Sequence, residues 1–369
     1  MKFSLFVTQQ CNLRCSYCYI QKQSKTMSDR TAKQAIDFIF KRSKRFNETI
    51  NIGWFGGEPL LEFGRMKKFT QMVTEHPQYS ADKVVISVVS NGTIFTEEIG
   101  QFLKESGIIF GISCDGPPDV QNKFRKFRNG RPSSKRVERT ILRAHEMLGN
   151  SMINAVYTPS TLKNLPDTIH YFSRLGVRQI YLSPDYSAYW DEEAVFQLPK
   201  IYDAIGDLYI SYYKKGDPHY ISLIDNKISV ILRDGYDRKD RCRMGIAEFA
   251  ITPEGNVYPC ERLVGDGNNN RRIGNVFTGI DPEFMLCHCA KGQAINKECL
   301  ECGVKQYCMN WCGCSNYMTS GYYNRVSSFL CHSEKTILQT AFRVFRVLEK
   351  ELGPVFYEHL VGKALSETV

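Results

Sequence analysis

Along the first 214 residues the apolar positions follow two alternating rhythms. Short runs such as Phe3 to Val7, Ile50 to Trp54 and Val84 to Val89 are rich in β-branched and aromatic residues, as strands are. Between them apolar residues recur three and four positions apart, as in Ala35, Phe38 and Ile39, the period of a helix with one buried face. The pattern predicts strands near 2–8, 50–55, 84–89, 108–113, 152–157 and 178–183. Each is followed by a predicted helix, near 28–44, 64–75, 96–105, 134–148, 165–175 and 194–214. Ser28 with Asp29, and Thr96 with Glu97 and Glu98, stand where the open amides of a first helical turn need acceptors. Strand–helix units in succession build a parallel sheet covered by helices, and six of them fall short of the eight in a closed barrel. The expected fold is therefore α/β, a partial (β/α)6 TIM-like barrel over residues 1–225.

Past Asp225 the rhythm gives way to glycine, asparagine and cysteine. Residues 226–241 read as a linker, 242–331 as a cysteine-rich, loop-dominated domain, and 332–369 as a C-terminal helical segment whose period returns over 333–351. Ten of the fourteen cysteines fall at or beyond position 242, in the stretch poorest in periodic structure. Such a segment has to be held by something other than an apolar core, and metal centres do this in small domains.

With 43% hydrophobic and 24% charged residues the chain is globular in composition, which excludes extensive disorder. No run reaches the roughly 18–20 apolar residues of a membrane span. The start, Met1-Lys2-Phe3-Ser4-Leu5, lacks the apolar stretch and cleavage site of a signal peptide. These features point to the cytoplasm and to no membrane partner. In a reducing compartment a cysteine pattern reads as metal-binding or catalytic rather than as disulfides.

Cys11, Cys15 and Cys18 form C-x3-C-x2-C directly after the first strand. Three thiolates on a four-iron cluster leave one iron free to bind a substrate or cofactor, and the loop lies at the strand end where barrel folds place their chemistry. A zinc site and three incidental thiols are the other readings of the triplet. After the second strand come Gly56, Gly57, Glu58 and Pro59, where glycine permits close backbone approach and the carboxylate can accept from an ammonium group; an ordinary turn has the same composition. Ser90-Asn91-Gly92 follows the third strand, and Ser113-Cys114-Asp115-Gly116-Pro117, running on to Arg125, follows the fourth. Polar residues at strand ends suit ribose hydroxyls and a carboxylate.

With Tyr17 before its last cysteine, the triplet resembles the signature of the radical S-adenosylmethionine (SAM) superfamily. The resemblance implies that the amino and carboxylate groups of S-adenosylmethionine chelate the open iron, that Gly56 to Pro59 bind the methionyl amino group, and that Ser90, Asn91, Ser113 and Arg125 hold the ribose and carboxylate. The chain departs from the related subfamily at Gln121-Asn122, where His-Asp is common, and Cys114 reads as a core thiol.

The later cysteines run Cys242-x12-Gly255-x4-Cys260, then Cys299-x2-Cys302-x5-Cys308-x3-Cys312-x18-Cys331, a spacing that resembles the SPASM domain of radical enzymes acting on peptides and proteins. By that likeness Cys299, Cys302, Cys308 and Cys331 hold an outer auxiliary cluster and Cys242, Cys260 and Cys312 an inner one, three [4Fe-4S] clusters in all. The sulfatase-maturating branch has a further cysteine where this chain has Glu248. The inner cluster then has either an open iron or a fourth ligand from Cys287, Cys289, Cys314 or Glu248. An open iron would take a substrate thiolate and lower its pKa, whereas a closed cluster relays electrons. Glu261 corresponds to the base of the sulfatase-maturating enzymes, and with Arg262 beside it an ion pair is the competing reading. Tyr181, Tyr186, Tyr189 and Trp190 are open to groove-lining and core-packing readings alike, and the basic stretch Lys123 to Arg143 reads as a solvated helix face or a contact for an acidic leader peptide.

The expected function is a peptide maturase that forms a 5'-deoxyadenosyl radical and makes a thioether crosslink in a Cys-containing, ribosomally made peptide, with flavodoxin or ferredoxin as electron donor. Because the triplet begins at residue 11, no N-terminal recognition domain is expected, and any leader binding falls to another protein or another surface. The alternatives are formylglycine formation in a sulfatase, carbon–carbon crosslinking, epimerisation, and a non-catalytic electron carrier, which would need neither Gly56 to Glu58 nor an open first cluster. The formal charge of +9 falls to roughly +4 once about eleven thiolates hold three cores of about +2 each, so it does not call for a nucleic-acid partner.

Overall fold

The computed structural model describes residues 1–369 except 45, 47, 150, 238–239, 241, 266–268, 282, 284–295, 310–311 and 368–369. The chain begins β1 (Lys2–Thr8), α1 (Asp29–Ser43), β2 (Ile50–Gly56), α2 (Phe63–Thr74), β3 (Val84–Ser90), α3 (Glu97–Glu105), β4 (Ile109–Ser113), α4 (Pro118–Phe124) and α5 (Ser134–Leu148). It goes on through β5 (Met152–Tyr157), α6 (Leu165–Arg174), β6 (Gln179–Pro184), α7 (Glu192–Lys214), β7 (Tyr220–Ile221) and α8 (Ser222–Leu232). The cysteine-rich part contributes β8 (Glu248–Ile251), β9 (Asn256–Tyr258), β10 (Gly274–Asn275), β11 (Gly279–Ile280) and α9 (Gly313–Ser320), before α10 (Ser328–Leu352) and α11 (Pro354–Glu367). The six strands and six helices expected from the sequence all form, with ends within two residues of expectation. The two anticipated caps form as well: Ser28 accepts from Thr31 N and Thr96 from Ile99 N.

Contacts divide the chain into two compact units. The first comprises Met1–Ser113, Asn122–Gly149 and Cys242–Ala294. Within it β1, β2, β3 and β4 pair in parallel, Phe3 opposite Ile52 and Ile52 opposite Ile86. β1 is buried from Phe3 to Thr8, as a parallel strand covered on both faces must be. Phe3 stacks on Phe249 at 5.5 Å, and Phe38 of α1 meets Phe249 edge-on at 6.0 Å, so that face of β1 is turned to the helix. Ser4, Phe6 and Thr8 point the opposite way by the alternation of a strand.

The cysteine-rich stretch is less loop-like than its composition suggests. β8 lies parallel to β1 with Phe3 opposite Phe249, and β9, β10 and β11 add to it antiparallel. These strands have two to four residues each, too short to show a period in the sequence. α8 likewise runs through Asn226 to Leu232, in the stretch that read as a linker.

The second unit comprises Cys114–Gln121, Asn150–Arg241 and Ile295–Val369. Its β5, β6 and β7 are parallel. α10 packs along α7, and a side chain at Gly206 would bring Cβ within 2.8 Å of Thr340 Cγ2, so glycine lets the helices close. Buried Tyr202 of α7 bonds Tyr157 Oη at 2.9 Å and Ser333 Oγ at 2.8 Å. Among the described residues no helix is long and apolar enough to cross a membrane.

Candidate active site

In the first unit, the loops that leave β1, β2 and β3 are stitched together by backbone. Gly57 N donates to Thr8 O at 2.9 Å and Glu58 N to Gln10 O at 2.7 Å. A Cβ on Gly56 would lie 2.1 Å from Thr8 O, and one on Gly57 2.1 Å from Gln10 O. The glycine pair is thus required by the protein's own chain crossing over it, and Gly56 has a φ of 146° that side chains resist.

Glu58 completes the stitching. It is fully buried; Oε1 accepts from Leu60 N at 3.0 Å and Ser90 Oγ at 2.9 Å, and Oε2 accepts from Asn91 N at 2.6 Å. Burial pushes its carboxyl up to about 7, against the pull of those three donors. Pro59 opens the short 3-10 turn that follows. Ser90 is buried with its hydroxyl on Glu58, and Ser113 ends β4, half-buried.

The cysteine loop lies on this frame and on a second support the sequence did not reveal. Arg14 N donates to Lys126 O at 2.8 Å, Ser16 N to Phe124 O at 3.3 Å and Arg128 N to Asn12 O at 3.3 Å, so 124–128 runs antiparallel beside 12–16. Tyr17 packs against Phe124 at 5.8 Å, and the buried Arg125 guanidinium sits 5.4 Å from the Tyr17 ring centroid. Part of the stretch that read as a solvated basic face is therefore the bed of the cysteine loop. Its signal was Phe124 and Phe127 among the basic residues. At the non-matching Gln121-Asn122 the roles are structural: Gln121 Oε1 accepts from Asp115 N in the second unit, and Asn122 Oδ1 accepts from Ser133 N and Ser134 N at the start of α5 in the first.

Cys11 is buried and Cys15 and Cys18 half-buried, none of them in a disulfide. Burial pushes the Cys11 thiol up to about 11, with the neighbouring Glu58 and Cys15 charges adding to it and the Leu13 amide opposing. Among the described residues no three His, Cys, Asp or Glu side chains gather around a point that would hold a single metal ion. The donor set nonetheless fits an iron–sulfur cluster: three thiols in one loop, the Cys11 sulfur already facing two N–H donors, Leu13 N at 3.4 Å and Asn91 Nδ2 at 3.6 Å.

Glu261 lies over the other end of β1, Oε1 3.4 Å from Lys2 Nζ and Oε2 accepting from Ser4 Oγ at 3.2 Å. Burial works against its charge, but Lys2 and Arg262 outweigh that and hold its carboxyl below the usual range. Cys260 is buried beside it, Cys242 is half-buried, and Glu248 opens β8 opposite Lys2. In the second unit, Cys302 and Cys331 lie near enough to Cys299 for their charges, with burial, to raise its pKa. Cys308 lies near the Lys227–Glu334 ion pair, and Cys312 Sγ is 3.5 Å from Sγ of buried Cys314. Cys287 and Cys289 lie outside the described residues. Tyr181 packs on Tyr220 and Trp190 stacks on Phe329, whereas Tyr189 faces solvent.

Residues 5–172 match the Radical SAM superfamily. The chain is 24% identical over 360 residues to the cysteine-type anaerobic sulfatase-maturating enzyme of Clostridium perfringens, covering 90% of this chain and 93% of that one. It is 33% identical over 180 residues to an uncharacterized protein of Methanocaldococcus jannaschii, across 48% of this chain and 59% of the relative's length. The solved structure of native anSMEcpe with bound AdoMet superposes with a TM-score of 0.79 at 22% identity, covering 95% of this chain and 99% of that one, a likeness of fold. The triplet after β1 and the glycine–glutamate turn after β2 both fall inside the matched stretch, so residues 5–172 of this chain form a radical SAM domain.

Proposed function

We propose that this enzyme modifies a Cys-containing peptide and joins a cysteine sulfur to a carbon as a thioether. The observation that carries the reading is Glu248, which by the resemblance stands where the sulfatase-maturating branch has a further cysteine. Cys242, Cys260 and Cys312 then leave a place on the inner auxiliary cluster for a substrate thiolate. Cys299, Cys302, Cys308 and Cys331 hold the outer cluster.

S-adenosylmethionine, once bound at the first cluster, supplies a 5'-deoxyadenosyl radical that removes a hydrogen atom from the substrate. The chain's own part is to hold and orient. Cys11, Cys15 and Cys18 would hold the cluster, Gly56 to Pro59 and Ser113 would bind the cofactor, and the Arg125 cation, steadied on Tyr17, would pair with its carboxylate. For a thioether to form, the C–H hydrogen would leave on 5'-deoxyadenosine, the thiol proton would go to solvent, and the one electron left over on forming the S–C bond would need the auxiliary clusters as its acceptor. A flavodoxin or ferredoxin primes the first cluster, and a separate protein presents the leader.

A second reading, formylglycine formation in a sulfatase, is favoured by the likeness to the Clostridium perfringens enzyme along nearly the full length of both chains. Co-expression with a Cys-containing peptide encoded beside this enzyme, followed by mass spectrometry, separates the two. Loss of two hydrogens together with one alkylatable thiol supports the thioether. A hydrazide-reactive aldehyde means formylglycine, a two-hydrogen loss with every thiol intact means a carbon–carbon crosslink, and an unchanged mass with inverted residues means epimerisation.

A further inference from the structure

Among the described residues the Cys11 sulfur is met by one side-chain donor, and that side chain is committed. Asn91 Nδ2 donates to Cys11 Sγ at 3.6 Å and to Asn12 Oδ1 at 2.8 Å. Its Oδ1 accepts from Thr93 N at 2.9 Å and from Thr93 Oγ1 at 2.6 Å, and Asn12 Nδ2 closes the ring onto Thr93 Oγ1 at 2.8 Å. A primary amide has two donor hydrogens and two acceptor lone pairs, and all four are used. The amide's orientation is not interchangeable either: Thr93 N–H can only donate, so the oxygen must face it and the NH2 must face the sulfur. Asn91 and Thr93 are buried, and Asn91 N is anchored on Glu58.

The sequence reading places Asn91 on the ribose. The geometry gives its side chain another task. We propose that Asn91 is a positioning residue for the first cluster: it fixes the Cys11 side chain and donates a hydrogen bond to the ligand sulfur, raising the cluster's reduction potential. This rests on the reading of Cys11, Cys15 and Cys18 as cluster ligands. The reason is electrostatic. Reduction adds negative charge that spreads onto the thiolates, and an N–H dipole aimed at the sulfur stabilises the reduced form more than the oxidised one. Asn12 and Thr93 act one step further out, by holding the amide in the orientation that points its hydrogens at the sulfur.

The test is an EPR-monitored redox titration of the reconstituted full chain, with the first cluster's signal identified by its change on adding S-adenosylmethionine. Binding of S-adenosylmethionine is measured in parallel. Asn91→Asp, which keeps the shape but replaces the donor with a repelling carboxylate, is expected to lower the midpoint most. Asn91→Ser lowers it less, and Thr93→Val, which touches no sulfur, shifts it slightly in the same direction. Affinity for S-adenosylmethionine stays within about threefold, short of the roughly tenfold that losing a direct hydrogen bond to the cofactor would cost. Unchanged midpoints in both Asn91 variants, or an unchanged midpoint with a tenfold or greater loss of S-adenosylmethionine affinity, overturn the proposal. Should the Asn91 variants fail to hold iron, Thr93→Val decides it alone: no shift overturns it. If the wild-type chain gives no signal that responds to S-adenosylmethionine, the cluster reading itself falls, a separate outcome.

Discussion

The first cysteine loop and the loops around Cys299 to Cys308 are built on opposite terms. The loop bearing Cys11, Cys15 and Cys18 is pinned by long-range backbone bonds to 124–128, and its base is tied through Gln10 to the glycine turn after β2. Cys299, Cys302 and Cys308 sit in or beside single 3-10 turns with no fully buried residue, closed by bonds three residues long such as Cys299 N to Asn296 O at 3.0 Å. What secures this second region is a handful of side-chain tethers. Asp234 Oδ1 accepts from Tyr307 Oη at 2.6 Å, Asn296 Oδ1 from Val326 N at 3.0 Å, and Glu334 Oε1 from Met309 N at 2.7 Å. The lesson is that the same ligand chemistry is pre-organised by a sheet in one place and left to tethers and metal in the other.

Removing iron breaks the comparison most directly. Anaerobic chelation is expected to abolish hydrogen-exchange protection over 297–308 while 12–18 keeps most of its own; equal loss in both would end the distinction. Next is the ion pair of Lys227 and Glu334, whose side chains are 7% and 14% exposed. Burial opposes the Lys227 charge, yet Glu334 holds its pKa above the ordinary value. Glu334→Ala leaves a buried cation without its counter-charge, beside the Tyr236 ring, and also frees Met309 N, so it is expected to cost about 3–5 kcal/mol and to release outer-cluster iron first. Urea denaturation with iron analysis checks this, and a loss below about 1 kcal/mol would refute it.

Gly57→Ala probes the sheet-built side. Its Cβ would sit 2.1 Å from a backbone oxygen that has no flexible end to swing away. The expected cost is about 1–3 kcal/mol with lower iron loading at the first site only, read from the S-adenosylmethionine-responsive EPR signal. The smallest effect is at Glu48–Arg243, beside Cys242, a forked pair at 2.8 and 2.5 Å with both side chains about a third exposed. The Arg243 hydrogen bonds hold the Glu48 carboxyl below its ordinary pKa. A depressed carboxylate contributes stability above its unfolded pKa near 4.3 and loses it as pH falls through the folded value. Glu48→Gln should therefore cost under about 1 kcal/mol at pH 7 and nothing at the acid end of a pH–stability profile.

The amino-acid order by itself determined the six strand–helix units, the place of the cysteine triplet at the end of β1, and the radical SAM domain of residues 5–172, because hydrophobic period and ligand spacing are local properties. Tertiary structure alone decided what the loops rest on. Residues 124–128 come to lie beside 12–16 across more than a hundred positions, β8 joins β1 across more than two hundred, and Asn91 reaches Cys11 across eighty. None of these has a period to announce it. Phe249 reads as one apolar residue in a four-residue run, and Asn91 as a polar residue free for a ligand, until the strand ends are brought together. A hydrogen bond is committed only when its partner arrives, and partners distant in the chain are chosen by packing rather than by neighbours in sequence.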